Sequence, residues 1–255
     1  MGMFAGKTAL VTGASRGIGA ATAARIAAEG ALVAVHYGQN RQLADDLVAR
    51  IAADGGQAFA IGADLASTTE IDGLFRQLDE ELTRRTRSEG LDILISNAGI
   101  GGAGSSFAEA TPEVFDNLFA TNVRGMFFVT QHAIPRMREN GRVVCIGSLS
   151  ARGASPERVL YSASKHFVNN LVPSLAKELA PRHVTVNAIA PGAVDTDLIA
   201  GLKADPKMVE MIVRTTPFGR LGTADDIAGA IMMLLGPNAG WVTGQVIEAT
   251  GGARL

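Results

Sequence analysis

Short, unbroken apolar runs separated by long amphipathic stretches constrain this chain more than any other feature. The runs fall at 8–11, 32–35, 58–61, 91–95, 142–146, 184–189 and 245–247. They do not alternate apolar with polar residues, which is how strands buried on both faces read. Between them, 18–29, 41–53, 71–83, 112–139, 159–179 and 224–235 carry apolar residues at helical spacing and end near Gly, Asn or Pro. A β-α-β-α alternation of this kind predicts an α/β fold: a doubly wound parallel sheet of about seven strands with helices on both faces. No repeat or composition break divides the chain, so residues 1–255 are expected to form a single domain.

Composition excludes several function classes. Hydrophobic residues make up 47% and charged residues 19%, with net charge −2. A large core can be buried, and a nucleic-acid surface, which needs a basic excess, is not expected. The single cysteine, Cys145, cannot form a disulfide within the chain, and the four histidines (His36, His132, His166 and His183) are scattered. No metal site is expected. No apolar run approaches the ~18 residues of a membrane span. The N-terminal stretch lacks a basic segment followed by a long apolar run, so a cytoplasmic protein is the expectation.

Ligands on such sheets bind beyond the carboxyl ends of the strands. The first strand runs into Thr12-Gly13-Ala14-Ser15-Arg16-Gly17-Ile18-Gly19 and then a helix. The glycines permit a tight turn and close approach of the backbone to a pyrophosphate; the helix start supplies free N–H groups and partial positive charge. Gly13, Ser15, Arg16, Gly17, Ile18 and Gly19 are therefore candidate dinucleotide contacts in a Rossmann-like fold. The spacing G-x-x-x-G-x-G differs from the commoner G-x-G-x-x-G. The second strand ends Val35-His36-Tyr37-Gly38, with no carboxylate to bond ribose hydroxyls. Tyr37 is placed at the adenosine end, Arg16 is placed to attract a 2′-phosphate, and Arg41 is a second candidate. NADP(H) is expected as cofactor over NAD(H). His36 reads equally well as a neighbour of the cofactor ribose or as a surface residue.

Taken in order, Thr12–Gly19, Asp64-Leu65, Asn97-Ala98-Gly99, Asn122, Gly147-Ser148, Tyr161-Ser162-Ala163-Ser164-Lys165 and Pro191-Gly192 with Thr196 resemble the short-chain dehydrogenase/reductase family over nearly the whole chain. Phe218–Gly222 and Thr243-Gly244-Gln245 resemble its 3-oxoacyl-carrier-protein reductases and related carbonyl reductases. One departure is Ser96, where the family usually has a first asparagine. That position mainly braces the central strand, so local adjustment is expected there. The resemblance implies that Asp64 and Leu65 contact the adenine. It implies that Asn97, Ala98 and Gly99 pass under the adenosine ribose, and that Pro191, Gly192 and Thr196 clamp the nicotinamide amide.

Tyr161 and Lys165 are four residues apart, which puts them on one helix face a turn apart. An ammonium there favours the phenolate. Tyr161 would then give a proton in carbonyl reduction and take one in alcohol oxidation. The resemblance adds that Lys165 holds the nicotinamide ribose, so both residues also count as cofactor contacts. Ser148, just past the fifth strand, can donate to the substrate oxygen as charge gathers there. Asn122 lies within the expected helix 112–139, where asparagine is unfavourable. By resemblance it sits at a local helix irregularity holding a water that links Lys165 to solvent. Also by resemblance, the 4-pro-S hydride passes between the nicotinamide and the carbonyl carbon.

The expected function is an oxidoreductase moving a hydride between NADP(H) and a small-molecule ketone or 3-oxoacyl thioester. Oxidative alcohol or sugar dehydrogenation is the alternative, because both directions use the same residues. A cofactor-binding sensor without turnover would tend to lack Tyr161 or Lys165. A non-redox lyase or dehalogenase fits poorly with an intact glycine turn and Lys165. Residues 193–219 are the expected substrate lid. Segments 101–106, 149–152 and 157–160 should shape the pocket. Arg136, Arg138 and Lys177 could attract an acidic carrier protein, though solvated charges explain them more simply. The apolar residues of 112–139 and 159–179 exceed one stripe and suggest subunit contacts; a homotetramer is expected.

Overall fold

The computed structural model describes residues 2–101, 106–153 and 156–254. Among them seven strands form one parallel sheet: β1 (Thr8–Val11), β2 (Leu32–Tyr37), β3 (Gln57–Gly62), β4 (Leu91–Ser96), β5 (Met137–Ile146), β6 (Thr185–Pro191) and β7 (Val246–Ala249). Their spatial order is β3-β2-β1-β4-β5-β6-β7, and every pairing is parallel. The order reverses between β1 and β4, which opens a crevice at their carboxyl ends where ligands bind in such sheets.

The expected strands are all present, because both faces of each are covered. Leu10 packs into one core layer, while Ala9 and Val11 pack into the other. Val143 and Cys145 likewise oppose Val144 and Ile146. The first layer lies under α3 (Thr68–Thr86) and the later helices α5 (Met126–Ala133) and α6 (Val159–Leu179). The second lies under α1 (Gly17–Ala28), α2 (Arg41–Ala53) and α9 (Ala224–Leu235).

One helix expectation is corrected. Residues 112–139 do not form a single helix. α4 (Pro112–Phe119) passes into a π-helical segment, Ala120–Gly125, and then into α5. Past Ala133 the chain tightens into a 3₁₀ turn at Ile134–Arg136 and enters β5 at Met137. Pro135 lacks the N–H that would continue the helix. Met137 pairs with Leu91, and a register shift there precedes the pairing of Arg142 with Ile93. β5 therefore begins earlier than its apolar run. After β6, residues 193–219 carry α7 (Ala200–Lys203) and α8 (Pro206–Thr215), a helix with no buried residue.

Candidate active site

The glycine turn is held from below and open above. Asn97 donates from its side-chain amide to the carbonyls of Thr12 (2.8 Å) and Gly13 (3.1 Å). The Thr12 hydroxyl accepts from the amides of Asn97 and Ala98. A Cβ on Gly19 would lie 2.3 Å from the Gly13 carbonyl oxygen, and one on Gly13 would lie 2.9 Å from the Ala98 Cα. No side chain fits at either place. Gly13 and Gly17 both adopt positive φ, 61° and 57°, which glycine tolerates without strain. Asn97 is thus committed to bracing the turn, and Ser96 beside it is a buried member of β4.

Helix capping separates α1 from most of its neighbours. α2, α3, α4, α8 and α9 each begin with a side chain, from Asn40, Ser67, Thr111, Asp205 and Thr223 respectively, accepting a first-turn amide. At α1 the N-cap is Arg16, which supplies no acceptor. Its first-turn N–H groups, with the helix dipole, suit an anion. A pyrophosphate fits this place.

Arg16 itself reaches across to the segment after β6 and pairs with Asp197 at 3.1 Å, both side chains being well exposed. That segment also approaches the turn through Thr196, whose methyl lies 3.4 Å from where a Gly17 Cβ would stand. Leu198 lies over Gly101. Pro191 closes β6, and the Gly192 amide donates to the Ala249 carbonyl, so both sit at the same sheet edge. Just past β3, Asp64 is exposed and one carboxylate oxygen accepts from the Ala66 amide. Leu65 is buried against Gly125 of the π segment. Tyr37 and Arg41 border a cavity of about 280 Å³, and Arg41 is paired with Asp45.

Of the four candidate catalytic residues, Asn122 and Lys165 come together at Gly99, Ser148 follows β5 by two residues, and Tyr161 stands one turn before Lys165 on α6. Asn122 sits in the π segment, is 3% exposed, and faces the turn after β4. Its Oδ1 accepts from the Ile100 amide (2.8 Å) and its Nδ2 donates to the Ile100 carbonyl (2.9 Å). Nδ2 also contacts the Ser164 hydroxyl at 3.2 Å, and that hydroxyl donates to the Tyr161 carbonyl. Lys165 Nζ donates to the Ile146 carbonyl (2.9 Å) at the end of β5. A Cβ on Gly99 would lie 3.4 Å from that nitrogen and 3.2 Å from the Asn122 oxygen, so glycine there lets the two approach. Ser148, two residues past β5, accepts from the Ser150 amide and keeps its own proton for another acceptor. Tyr161 is 7% exposed, with the Arg158 guanidinium 4.6 Å above its ring.

Several features escaped sequence reasoning. His36 is buried, not on the surface: its Nδ1 accepts from the Gly13 amide (3.0 Å) and its Nε2 lies 3.1 Å from the Ala63 carbonyl. Burial pushes its pKa down to about 4, so the ring is neutral near pH 7. His166, next to Lys165, anchors the turn Leu149–Arg152 through the Ala151 carbonyl at 2.8 Å. Arg158, the residue before α6, lies in the 157–160 segment expected to shape the pocket, but its place over the Tyr161 ring had no signal in the sequence. Two carrier-protein candidates are already engaged: Arg136 grips Asp79 with two bonds of 2.6 Å, and Arg138 pairs with Asp92. Cys145 is inert core, its thiol pushed up to about 12 by burial. Residues 102–105 of the expected pocket segment 101–106 lie outside the described residues. Among those described, no cluster of His, Cys, Asp and Glu could hold a metal, and no helix is long and apolar enough to cross a membrane.

Comparison with known proteins agrees with this geometry. A family model described as enoyl-(acyl carrier protein) reductase matches residues 13–254. Versicolorin reductase 1 of Aspergillus parasiticus is 37% identical, over 97% of this chain and 96% of its own length. A 3-oxoacyl-[acyl-carrier-protein] reductase of Synechocystis is also 37% identical, over 96% of each. The crystal structure of the angucycline C-6 ketoreductase LanV with bound NADP superposes with TM-score 0.93. It is 39% identical and the match covers 98% of this chain and 96% of that one.

Proposed function

The chain belongs to the short-chain dehydrogenase/reductase family, and from that premise we propose that it reduces a bulky, partly apolar ketone with NADPH, Tyr161 giving the proton. NADPH supplies a hydride when bound. The protein's part is to place, polarise and protonate the carbonyl. Ser148 donates to the carbonyl oxygen as charge collects on it. Tyr161 delivers its phenolic proton to that oxygen. Lys165 is held at the same edge by the Ile146 carbonyl, one turn from Tyr161 on α6. Asn122 fixes the turn after β4 against α6 through Ile100 and Ser164. Arg16 would receive the 2′-phosphate, exchanging Asp197 for it.

What supports this reading is the meeting of Asn122 and Lys165 at Gly99, with Ser148 two residues past β5, Tyr161 one turn before Lys165 on α6, and an uncapped glycine turn at the same sheet edge. A bulky ketone is favoured by the lid, where Leu198, Met211 and Phe218 are 46%, 46% and 74% exposed. With Arg136 and Arg138 committed to Asp79 and Asp92, a separate acidic-carrier patch is reduced to Lys177. The 3-oxoacyl thioester reading keeps the support of the Synechocystis relative. A panel of polycyclic ketones, 3-oxoacyl thioesters and secondary alcohols, run with each nicotinamide cofactor, tests the proposal. Turnover should be fastest with NADPH and a polycyclic ketone. A clear preference for NADH, or for a thioester alone, would overturn those parts.

We propose in addition a cytoplasmic homotetramer. Phe115 and Phe127 stand 44% and 41% exposed on α4 and α5. Met233 and Trp241 stand 72% and 96% exposed in and just after α9. Two separate apolar faces suit two interfaces of a closed tetramer. Sedimentation at micromolar concentration should show four subunits; a lone monomer would contradict it.

A further inference from the structure

His36 grips the glycine turn twice. Its main-chain carbonyl accepts from the Ala14 amide at 2.7 Å, and its ring nitrogen Nδ1 accepts from the preceding amide, Gly13, at 3.0 Å. The other ring nitrogen meets the Ala63 carbonyl at 3.1 Å. Only one tautomer satisfies both contacts: Nδ1 bare, Nε2 bearing the hydrogen. Ala63 is also tied to β2 through its amide, which donates to the Tyr37 carbonyl. The residue after it is Asp64, which begins the loop at the adenosine end. The imidazole is 2% exposed, so no water can replace either partner without rearrangement.

Asn97 holds the Gly13 carbonyl, and the His36 ring holds its amide. The Gly13 amide faces β2 and meets the His36 ring there, and a part-buried amide left without a partner is costly. We propose that His36 is a positioning residue for the dinucleotide: its ring bridges the Gly13 amide and the Ala63 carbonyl, holds the pyrophosphate turn and the adenine loop at a fixed separation, and so sets cofactor affinity. The two half-sites are built on different strands, β1 and β3, and His36 is the side chain from the strand between them that touches both. It does not reach the reacting atoms, so its effect falls on binding and not on hydride transfer. The inference rests on reading the glycine turn as the pyrophosphate site.

The test is the affinity of the full-length enzyme for NADPH, read from nicotinamide fluorescence, and for adenosine 2′,5′-bisphosphate as a probe of the adenine half. His36→Leu removes both hydrogen bonds at similar bulk. His36→Asn restores one acceptor and one donor. His36→Leu should weaken both ligands about tenfold or more, with kcat at saturating NADPH within about threefold of wild type. His36→Asn should recover most of that loss. If His36→Leu does not fold, His36→Ser carries the same expectation, because its hydroxyl is too short to bridge the two partners. Unchanged affinity in a folded His36→Leu or His36→Ser, with only thermal stability lowered, would overturn the proposal. So would a fall in kcat at unchanged affinity. If the wild-type protein itself does not bind NADPH, the reading of the glycine turn fails instead.

Discussion

The two edges of the sheet use the same kinds of side chain for opposite ends. At the amino edge, polar groups are closed on one another. Asp92, 4% exposed, accepts from Lys7 Nζ (2.9 Å), the Thr8 amide (3.0 Å), the Thr8 hydroxyl (3.2 Å) and Arg138 (2.5 Å). At the carboxyl edge the polar groups are held by main chain and left with capacity to spare. Lys165 has one carbonyl for three donors, Ser148 keeps its proton, and α1 starts without a side-chain cap. Groups satisfied by each other stabilise; groups oriented by backbone and otherwise open are ready for a ligand.

That contrast can be broken from either side. The larger expected effect is at the carboxyl edge in acid. His36 is neutral in the fold, with its pKa lowered from 6.5 to about 4, and desolvation is the main cause. Between those values the unfolded chain binds a proton that the folded one refuses, so stability is full above about pH 6.5 and is lost as pH falls toward about 4. The loss amounts to about 3 kcal/mol. Urea unfolding at stepped pH, taken as wild type minus His36→Asn, reads this directly. A difference that stays flat across the window would show that the ring is not buried neutral.

A smaller effect is expected at the amino edge. Asp92→Ala strands the buried Thr8 amide and removes the partner of Lys7 and Arg138. These two cations are partly exposed, with side-chain exposures of 50% and 33%, so water screens them. The cost should be about 2 kcal/mol. Denaturant unfolding should show it, while kcat measured well below the melting temperature stays at the wild-type value. A matching fall in kcat would mean that the two edges are not separable.

Much of this was legible beforehand, for identifiable reasons. Strands covered on both faces read as unbroken apolar runs, so all seven were visible, with ends misplaced by a few residues. The glycine turn was visible because each of its backbone demands selects one residue type. Asn122 drew notice because asparagine is unfavourable inside a helix, and the structure places it in a π segment. The break of 112–139 was not foreseen. Apolar periodicity continues through Pro135 into Met137, and only pairing with Leu91 turns those residues into strand. The contacts of His36 and His166 were missed or misjudged because their partners are backbone groups from distant strands and turns, which leave no mark in the sequence. Arg136 and Arg138 looked available for the same reason: Asp79 and Asp92 lie far away along the chain.

The central claim, that the carboxyl edge performs proton transfer at Tyr161, is tested most directly by Tyr161→Phe. NADPH-dependent ketone turnover and NADPH affinity should be measured on the same preparation. Turnover should fall by about a thousandfold, within the range for loss of a general acid, while NADPH binding and thermal stability stay close to wild type. Turnover near the wild-type rate in a variant that still binds NADPH would contradict the account.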